Sequence, residues 1–260
     1  MIAKIKKISK DSFIMFKRNM KIAFRNPETM AMAIIAPSLI MILFTFVLGG
    51  VMDVGMGQEI NYVNFIITGI ILQCIAQGSI TTAINVNIDL NKGMMERFRS
   101  MPIAKSSFLL GHSFAAILRN AITTIVIIGI AFAVGFRPEA NFGQWIIMLA
   151  MFLAFIVVIN WLAILIGMIS KTAESASSTL SLIAVLPYVS SGFAPTESMP
   201  NGIRHFAEHQ PMTPIINTIR NMIMGQPAGN DLFIALAWII GLFAIIFTLS
   251  MIVYKKRLVK

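Results

Sequence analysis

Apolar residues along this chain gather into runs of about twenty, the length a helix needs to cross a hydrocarbon layer of roughly 30 Å. A window of about 19 residues picks out six such runs, at 30–51, 62–86, 107–134, 144–169, 177–193 and 232–254. The expected fold is therefore an all-α integral membrane protein with six transmembrane helices in one domain, residues 1–260. The third run carries Arg119 well inside it, so its first turns should project from the membrane or sit in protein, with the lipid-embedded part beginning near Asn120.

Three segments between these runs also show helical periodicity. In residues 1–26, Ile5, Ile8, Met15, Ile22 and Ala23 recur at near-helical spacing among lysines and arginines, a pattern suited to a helix in the headgroup plane. Phe13 to Phe16 is apolar on every side and spoils the pattern. The segment reads either as a surface anchor or as a connecting helix that also touches a cytoplasmic partner. Arg25-Asn26-Pro27 ends it, because the residue before proline is pushed out of helical geometry.

In residues 92–104, Gly93 and Pro102 bracket a short helix on which Met94, Phe98 and Met101 share one face with Met95 beside them. Large soft side chains on a charged helix suit a protein groove, while a helix meant only for lipid would be richer in lysine. Residues 194–228 form a long outer connection. Within it Met212, Ile215, Ile216, Ile219, Met222 and Ile223 mark an amphipathic helix, with Pro214 in its first turn and Gly225 placed to end it. That outer helix either floats on the leaflet or dips back as a re-entrant cap over an exit path.

Composition agrees with the membrane reading: 57% of residues are hydrophobic and only 12% charged, against roughly a quarter charged in soluble proteins. The start lacks the continuous apolar core of a cleavable signal peptide, so the first span is expected to remain as an anchor. Cys74 is the single cysteine and lies within an apolar run, where a thiol usually behaves as a small hydrophobe.

A net charge of +10 could suggest nucleic acid, but its distribution follows topology. Eight Lys/Arg precede Asn26, Lys92, Arg97, Arg99 and Lys105 follow the second run, Lys171 follows the fourth, and Lys255, Lys256, Arg257 and Lys260 follow the last. Arg137, Arg204 and Arg220 fall on the other side. Positive charge marks the cytoplasmic side, so both termini are expected there, facing anionic inner-leaflet lipid. Nucleic acid is not an expected partner.

The second run is unusually polar. Gln73, Gln77, Thr81 and Asn85 stand four apart, and Asn64 and Thr68 precede them. Such a stripe faces protein or water, either lining a translocation path or bonding helices at a dimer contact. No acidic residue lies deep in any run, so proton or sodium coupling has no evident carrier. There is no G-x-x-x-x-G-K-[ST] loop to cradle ATP, and neither H-E-x-x-H nor G-x-S-x-G is present. No catalytic residue and no bound cofactor are expected. His205 and His209 stand at i, i+4 with Glu208 beside them, but no third ligand clusters convincingly, so no metal site is assigned. Asp89 is expected to stand without an acidic or histidine neighbour, which speaks against a lipid-modifying enzyme. The lack of an evident inverted repeat speaks against a secondary transporter.

Taken in order, Arg25-Asn26-Pro27, Pro37, the stretch DLNKGMMERFRSMPIAKSSFLLG from Asp89 to Gly111, Ser191-Gly192-Phe193-Ala194-Pro195 with Met199-Pro200, and QPMTPIINTIRNMIMG ending at Gly225 resemble the ABC-2 type permeases. The resemblance is strongest to the small daunorubicin and multidrug-exporter permeases. It departs from that pattern at Gln210-Pro211, where Asn-Pro is usual, and at Met94-Met95, where smaller or polar residues are commoner.

The resemblance implies a coupling helix made by Met94, Met95, Glu96, Arg97, Phe98, Arg99, Met101 and Pro102, seated on a cytoplasmic ABC ATPase subunit present in two copies. It implies a second permease copy, in a homodimer or heterodimer, and ATP and Mg on the ATPase alone. It further implies a path lined by spans one, two and five, with Asn64, Thr68, Gln73, Gln77, Thr81 and Phe193 as candidate lining residues. The cargo would be a small hydrophobic or amphipathic compound, drug- or antibiotic-like, exported from the cytoplasm or inner leaflet of a bacterial plasma membrane. The same family also suits a lipid-linked glycan, haem or a peptide.

Overall fold

A computed structural model describes residues 2–49, 62–93, 104 and 106–259. Among them the chain is helical, with tight turns and short loops between helices. Helix α1 (Ile2–Arg25) stops at Asn26, which has φ −115° and ψ 68°, because the following proline bars α geometry. Pro27 then opens α2 (Pro27–Leu43), where a missing N–H costs nothing.

Pro37 lies inside α2 and cannot donate to the carbonyl of Ala33. The thiol of Cys74, on the next helix, donates to that oxygen at 3.4 Å, so the one cysteine answers a backbone acceptor freed by the one proline inside α2. Beyond Leu43 the helix widens into a π turn, Phe44–Leu48.

Helix α3 (Tyr62–Asn91) is the axis of the molecule. Its 30 residues make it about 45 Å long, and most of its surface is covered by α2, α4 (Ser107–Val134), α5 (Phe142–Ile169) and α6 (Ala173–Ile183). This burial in protein explains why the helix tolerates so many amides and hydroxyls at membrane depth. Small residues let neighbours approach it. A methyl group built on Gly167 of α5 would lie 2.5 Å from the carbonyl oxygen of Ala83, so only glycine fits that crossing.

Local chemistry sets the ends of the other helices. Gly135 takes φ +115° just after α4, a conformation that side-chain-bearing residues avoid. Asn141 and Gln144 cap α5 reciprocally, each side chain accepting the other's backbone N–H at 2.9 and 2.8 Å. Thr172 caps α6 by accepting from the Ser175 N–H.

The fifth apolar run differs from the expectation of one helix over 177–193. Helix α6 ends at Ile183, and the chain turns through a 3₁₀ segment, Leu186–Val189, into a buried bend at Ser190–Gly192. Pro187 is the physical reason, since it cannot continue an α-helix. Ser190 reinforces the bend, donating its hydroxyl to the Pro187 carbonyl and accepting from the Gly192 N–H. At 11 residues α6 is about 16 Å long, short of the roughly 30 Å hydrocarbon thickness. Among the described residues five helices are long and apolar enough to cross a membrane: α2 continued through its π turn, α3, α4, α5 and α9 (Asp231–Val259).

The 194–228 connection holds two α-helices, α7 (Asn201–His209) and α8 (Met212–Ile223), and α8 is packed against protein. Its apolar face and also Thr213, Thr218 and Arg220 are buried, packed against α3, α5 and α9. The rings of His205 and His209 on α7 lie tilted to each other with centroids 4.3 Å apart, and Nδ1 of His209 donates to the His205 carbonyl within the helix. Glu208 pairs instead with Arg204 at 2.7 Å.

Candidate functional site

The polar residues of α3 do not stay on one face. Residues four apart on a helix advance by about 40° beyond a full turn, so Gln73 and Asn85 lie about 120° apart. Gln73 is accordingly buried, Gln77 is exposed, and Thr81 and Asn85 are half-buried. Thr81 and Asn85 line a cleft of about 40 Å³ together with Asn26, Met30, Arg119 and Asn120, enough for two or three waters.

Behind that cleft lies a buried polar node that sequence spacing alone does not reveal. Arg119 of α4 donates to the Gly78 carbonyl at 3.0 Å and to the Thr82 hydroxyl at 2.8 Å. Asn120 donates to Ser79 at 3.0 Å and to Oδ1 of Asn160 on α5 at 3.3 Å. Ser79 and Thr82 also reach that same oxygen, at 3.2 and 3.4 Å. One amide on α5 thus gathers donors from α3 and α4. Among the described residues no carboxylate pairs with Arg119, so its charge rests on neutral acceptors beside the cleft.

The remaining candidate path residues named from sequence separate by role. Asn64 spans the backbone of Arg137, donating to its carbonyl at 2.8 Å and accepting from its N–H at 3.0 Å, which fastens the N-terminal end of α3 to the α4–α5 turn. Thr68 is fully buried, and neither its hydroxyl nor Oε1 of Gln73 has a partner among the described residues. Phe193 sits in an aromatic cluster, 4.7 Å from the ring of Tyr188 and 5.4 Å from that of Phe44, while the Tyr62 hydroxyl donates to its carbonyl at 3.1 Å.

Arg220 of α8 lies just beneath this cluster. Its guanidinium stands 3.6 Å over the Phe65 ring, Nε donates to the Phe65 carbonyl at 3.1 Å, and Nη2 donates to the Ser191 carbonyl. The Ser190–Gly192 bend therefore rests on a buried cation. Gly192 also meets Gly69 of α3 backbone to backbone: a Cβ on Gly69 would lie 2.8 Å from the Gly192 oxygen.

Met94, Met95, Glu96, Arg97, Phe98, Arg99, Met101 and Pro102 lie outside the described residues. The chain on either side of them is described, and α1 grips both flanks. Arg18 of α1 forms two parallel bonds to the Asp89 carboxylate at 2.7 and 2.8 Å, and Nε2 of His112 on α4 lies 3.0 Å from the same carboxylate. The hydrogen bond with Asp89 raises the Arg18 pKa above its ordinary value. Seven residues earlier on α1, Asp11 accepts the N–H of Ala104 at 2.9 Å. Gly111 of α4 lets α1 approach closely, since a Cβ there would meet that of Met15 at 2.3 Å.

The expectation that Asp89 lacks a histidine neighbour is thus corrected. His112 stands 23 residues further on another helix, where no periodicity links the two. The one available signal was a carboxylate beside a membrane face, which requires a partner.

Fold and site together describe a multi-pass α-helical membrane protein with a basic helix clamped to two of its long helices. Residues 11–224 match the profile of the ABC-2 type transporter family, and the chain belongs to that family. It is 23% identical over 238 residues to the daunorubicin resistance ABC transporter permease protein DrrB1 of Streptomyces coeruleorubidus, covering 90% of this chain and 83% of that protein. It is 28% identical over 224 residues to the probable doxorubicin resistance ABC transporter permease protein DrrC of Mycobacterium tuberculosis, covering 84% of this chain and 78% of that protein.

Proposed function

We propose that this chain is the permease subunit of an ATP-binding-cassette exporter that moves a hydrophobic or amphipathic, drug-like compound outward from the cytoplasm or inner leaflet. A separate ATPase subunit, in two copies, binds ATP and Mg and supplies the energy. Two permease copies form the pathway, as a homodimer or heterodimer. The names of the relatives support the cargo class.

Both termini lie on the cytoplasmic side in this reading, which demands an even number of crossings. Five helices among the described residues are long enough to cross, and the basic residue Lys171 lies before α6 while Asp231 opens α9 on the far side. The sixth crossing then falls to α6 together with the turns up to Phe193. The path runs along the open face of α3, past Gln77, Thr81 and Asn85, beside Arg119, and leaves near Phe193. Thr68 and Gln73, buried with unanswered polar atoms, meet the path or the second copy when the helices shift, while Asn64 holds the outer turn.

The observation that carries this reading is the double attachment of α1 to the flanks of residues 92–104, through Arg18–Asp89 and Asp11–Ala104. A push on the coupling helix is thereby transmitted to α1, α3 and α4 together. The test is co-purification of the chain with its ATPase followed by drug-stimulated ATP hydrolysis. Phe98→Asp leaves the protein inserted and assembled yet abolishes the stimulation, because a charge would have to be desolvated in the ATPase groove. Undiminished stimulation in that variant rejects the coupling assignment.

A further inference from the structure

Between α1 and α4 lies a cleft of about 640 Å³ that the transport reading leaves unused. Its walls are Ile8, Phe13 and Phe16 of α1 and Leu110, Phe114 and Leu118 of α4. The volume falls within the roughly 300–1,000 Å³ of sites that enclose a small ligand. The walls are almost wholly apolar, yet the cleft borders the most basic segment of the chain.

Lys6, Lys10, Lys17 and Lys21 are all exposed, and their spacing of four, seven and four residues aligns them in one stripe along α1. Phe13, on the cleft edge, falls three residues after Lys10 and four before Lys17, so both lysines stand on the part of the helix surface next to that edge. Ser12 lines the interior, is buried, and its hydroxyl has no partner among the described residues. An apolar slot, a buried unanswered donor and a pair of lysines next to its edge match, in that order, an acyl chain, its ester carbonyl and a phosphate.

We propose that this cleft binds one anionic phospholipid of the inner leaflet, its acyl chain between α1 and α4 and its phosphate against Lys10 and Lys17. The proposal rests on α1 lying at the cytoplasmic surface, as in the transport reading. A lipid seated there shims the contact between α1 and α4, the two elements that meet at Gly111 and at the Asp89 clamp, so membrane composition would set the stiffness of the coupling linkage.

The test is native mass spectrometry of the full chain, delipidated in detergent and titrated with phosphatidylglycerol and with phosphatidylcholine of the same acyl chains. One phosphatidylglycerol per protomer is retained, and phosphatidylcholine binds at least tenfold more weakly. Lys10→Glu with Lys17→Glu lowers phosphatidylglycerol affinity about thirtyfold. Leu118→Trp fills the slot and displaces both lipids, and Ser12→Ala, too small a change to disturb folding, weakens retention severalfold. Lys171→Glu, a charge reversal elsewhere on the cytoplasmic side, leaves retention unchanged.

Equal binding of the two lipids overturns the proposal. So does retention of phosphatidylglycerol by a helical, folded Leu118→Trp protein, or an equal loss in Lys171→Glu, which marks diffuse surface attraction. Because the measurement uses no ATPase and no drug, it fails or succeeds independently of the transport reading.

Discussion

Replacing Arg18 by alanine removes both parallel bonds to Asp89 while leaving α1 free to remain a helix. The Asp89 side chain is 9% exposed and that of Arg18 is 35% exposed, so the acid loses its partner in a place water reaches poorly. A hydrogen bond to a charged group contributes about 1.5–3 kcal/mol. His112 still holds one carboxylate oxygen, and the exposed third of Arg18 already interacts with water, which reduces the gain. The expected loss is about 2 kcal/mol, with about 1–2 kcal/mol appearing as the interaction energy in a cycle with Asp89→Ala.

Unfolding in detergent, followed by circular dichroism, measures the stability. Drug-stimulated ATP hydrolysis with the partner subunit measures the linkage, and stimulation should fall severalfold while basal hydrolysis stays the same. Arg18→Lys keeps the charge but not the two-pronged geometry, so it restores part of the loss. An interaction energy below about 0.5 kcal/mol with unchanged stimulation would show that the clamp is a solvent-screened surface pair, and the transmission argument would fail.

Two further outcomes follow from close contacts. Gly69→Ala pushes a methyl group into the backbone of Gly192, which cannot rotate aside, and should cost about 1–3 kcal/mol. Gly129→Ala, whose added carbon meets nothing within 4 Å, is the control for thermal unfolding, and equal melting of the two variants rejects the backbone contact. Asn160→Leu deletes an acceptor shared by Ser79, Thr82 and Asn120. At about 0.6 kcal/mol for each hydrogen bond in a membrane interior, it should lower unfolding stability by about 2 kcal/mol, and a neutral effect would assign those donors to other partners.

Hydropathy and charge alone made this an α-helical membrane chain, because crossing hydrocarbon demands about twenty apolar residues in succession and a satisfied backbone, and both are local requirements. Pro27, Gly135 and the Asn141–Gln144 pair acted where they stand, since caps and proline stops depend on a few neighbouring residues. The break in the fifth run was also written locally, in Pro187 and the serines and glycine after it, but a hydropathy window averages over the residues that interrupt a helix.

Which side of each helix faces protein was settled by packing between helices. A four-residue stripe rotates as it climbs, so Gln73 and Asn85 part company, and Arg119 finds Gly78 and Thr82 on a helix some 40 residues away. Asp89 meets Arg18 and His112 for the same reason. Lipid offers polar groups no partner, so a buried amide or charge is best satisfied by a group on a neighbouring helix, and that pairing depends on how the helices pack rather than on the order of residues along any one of them.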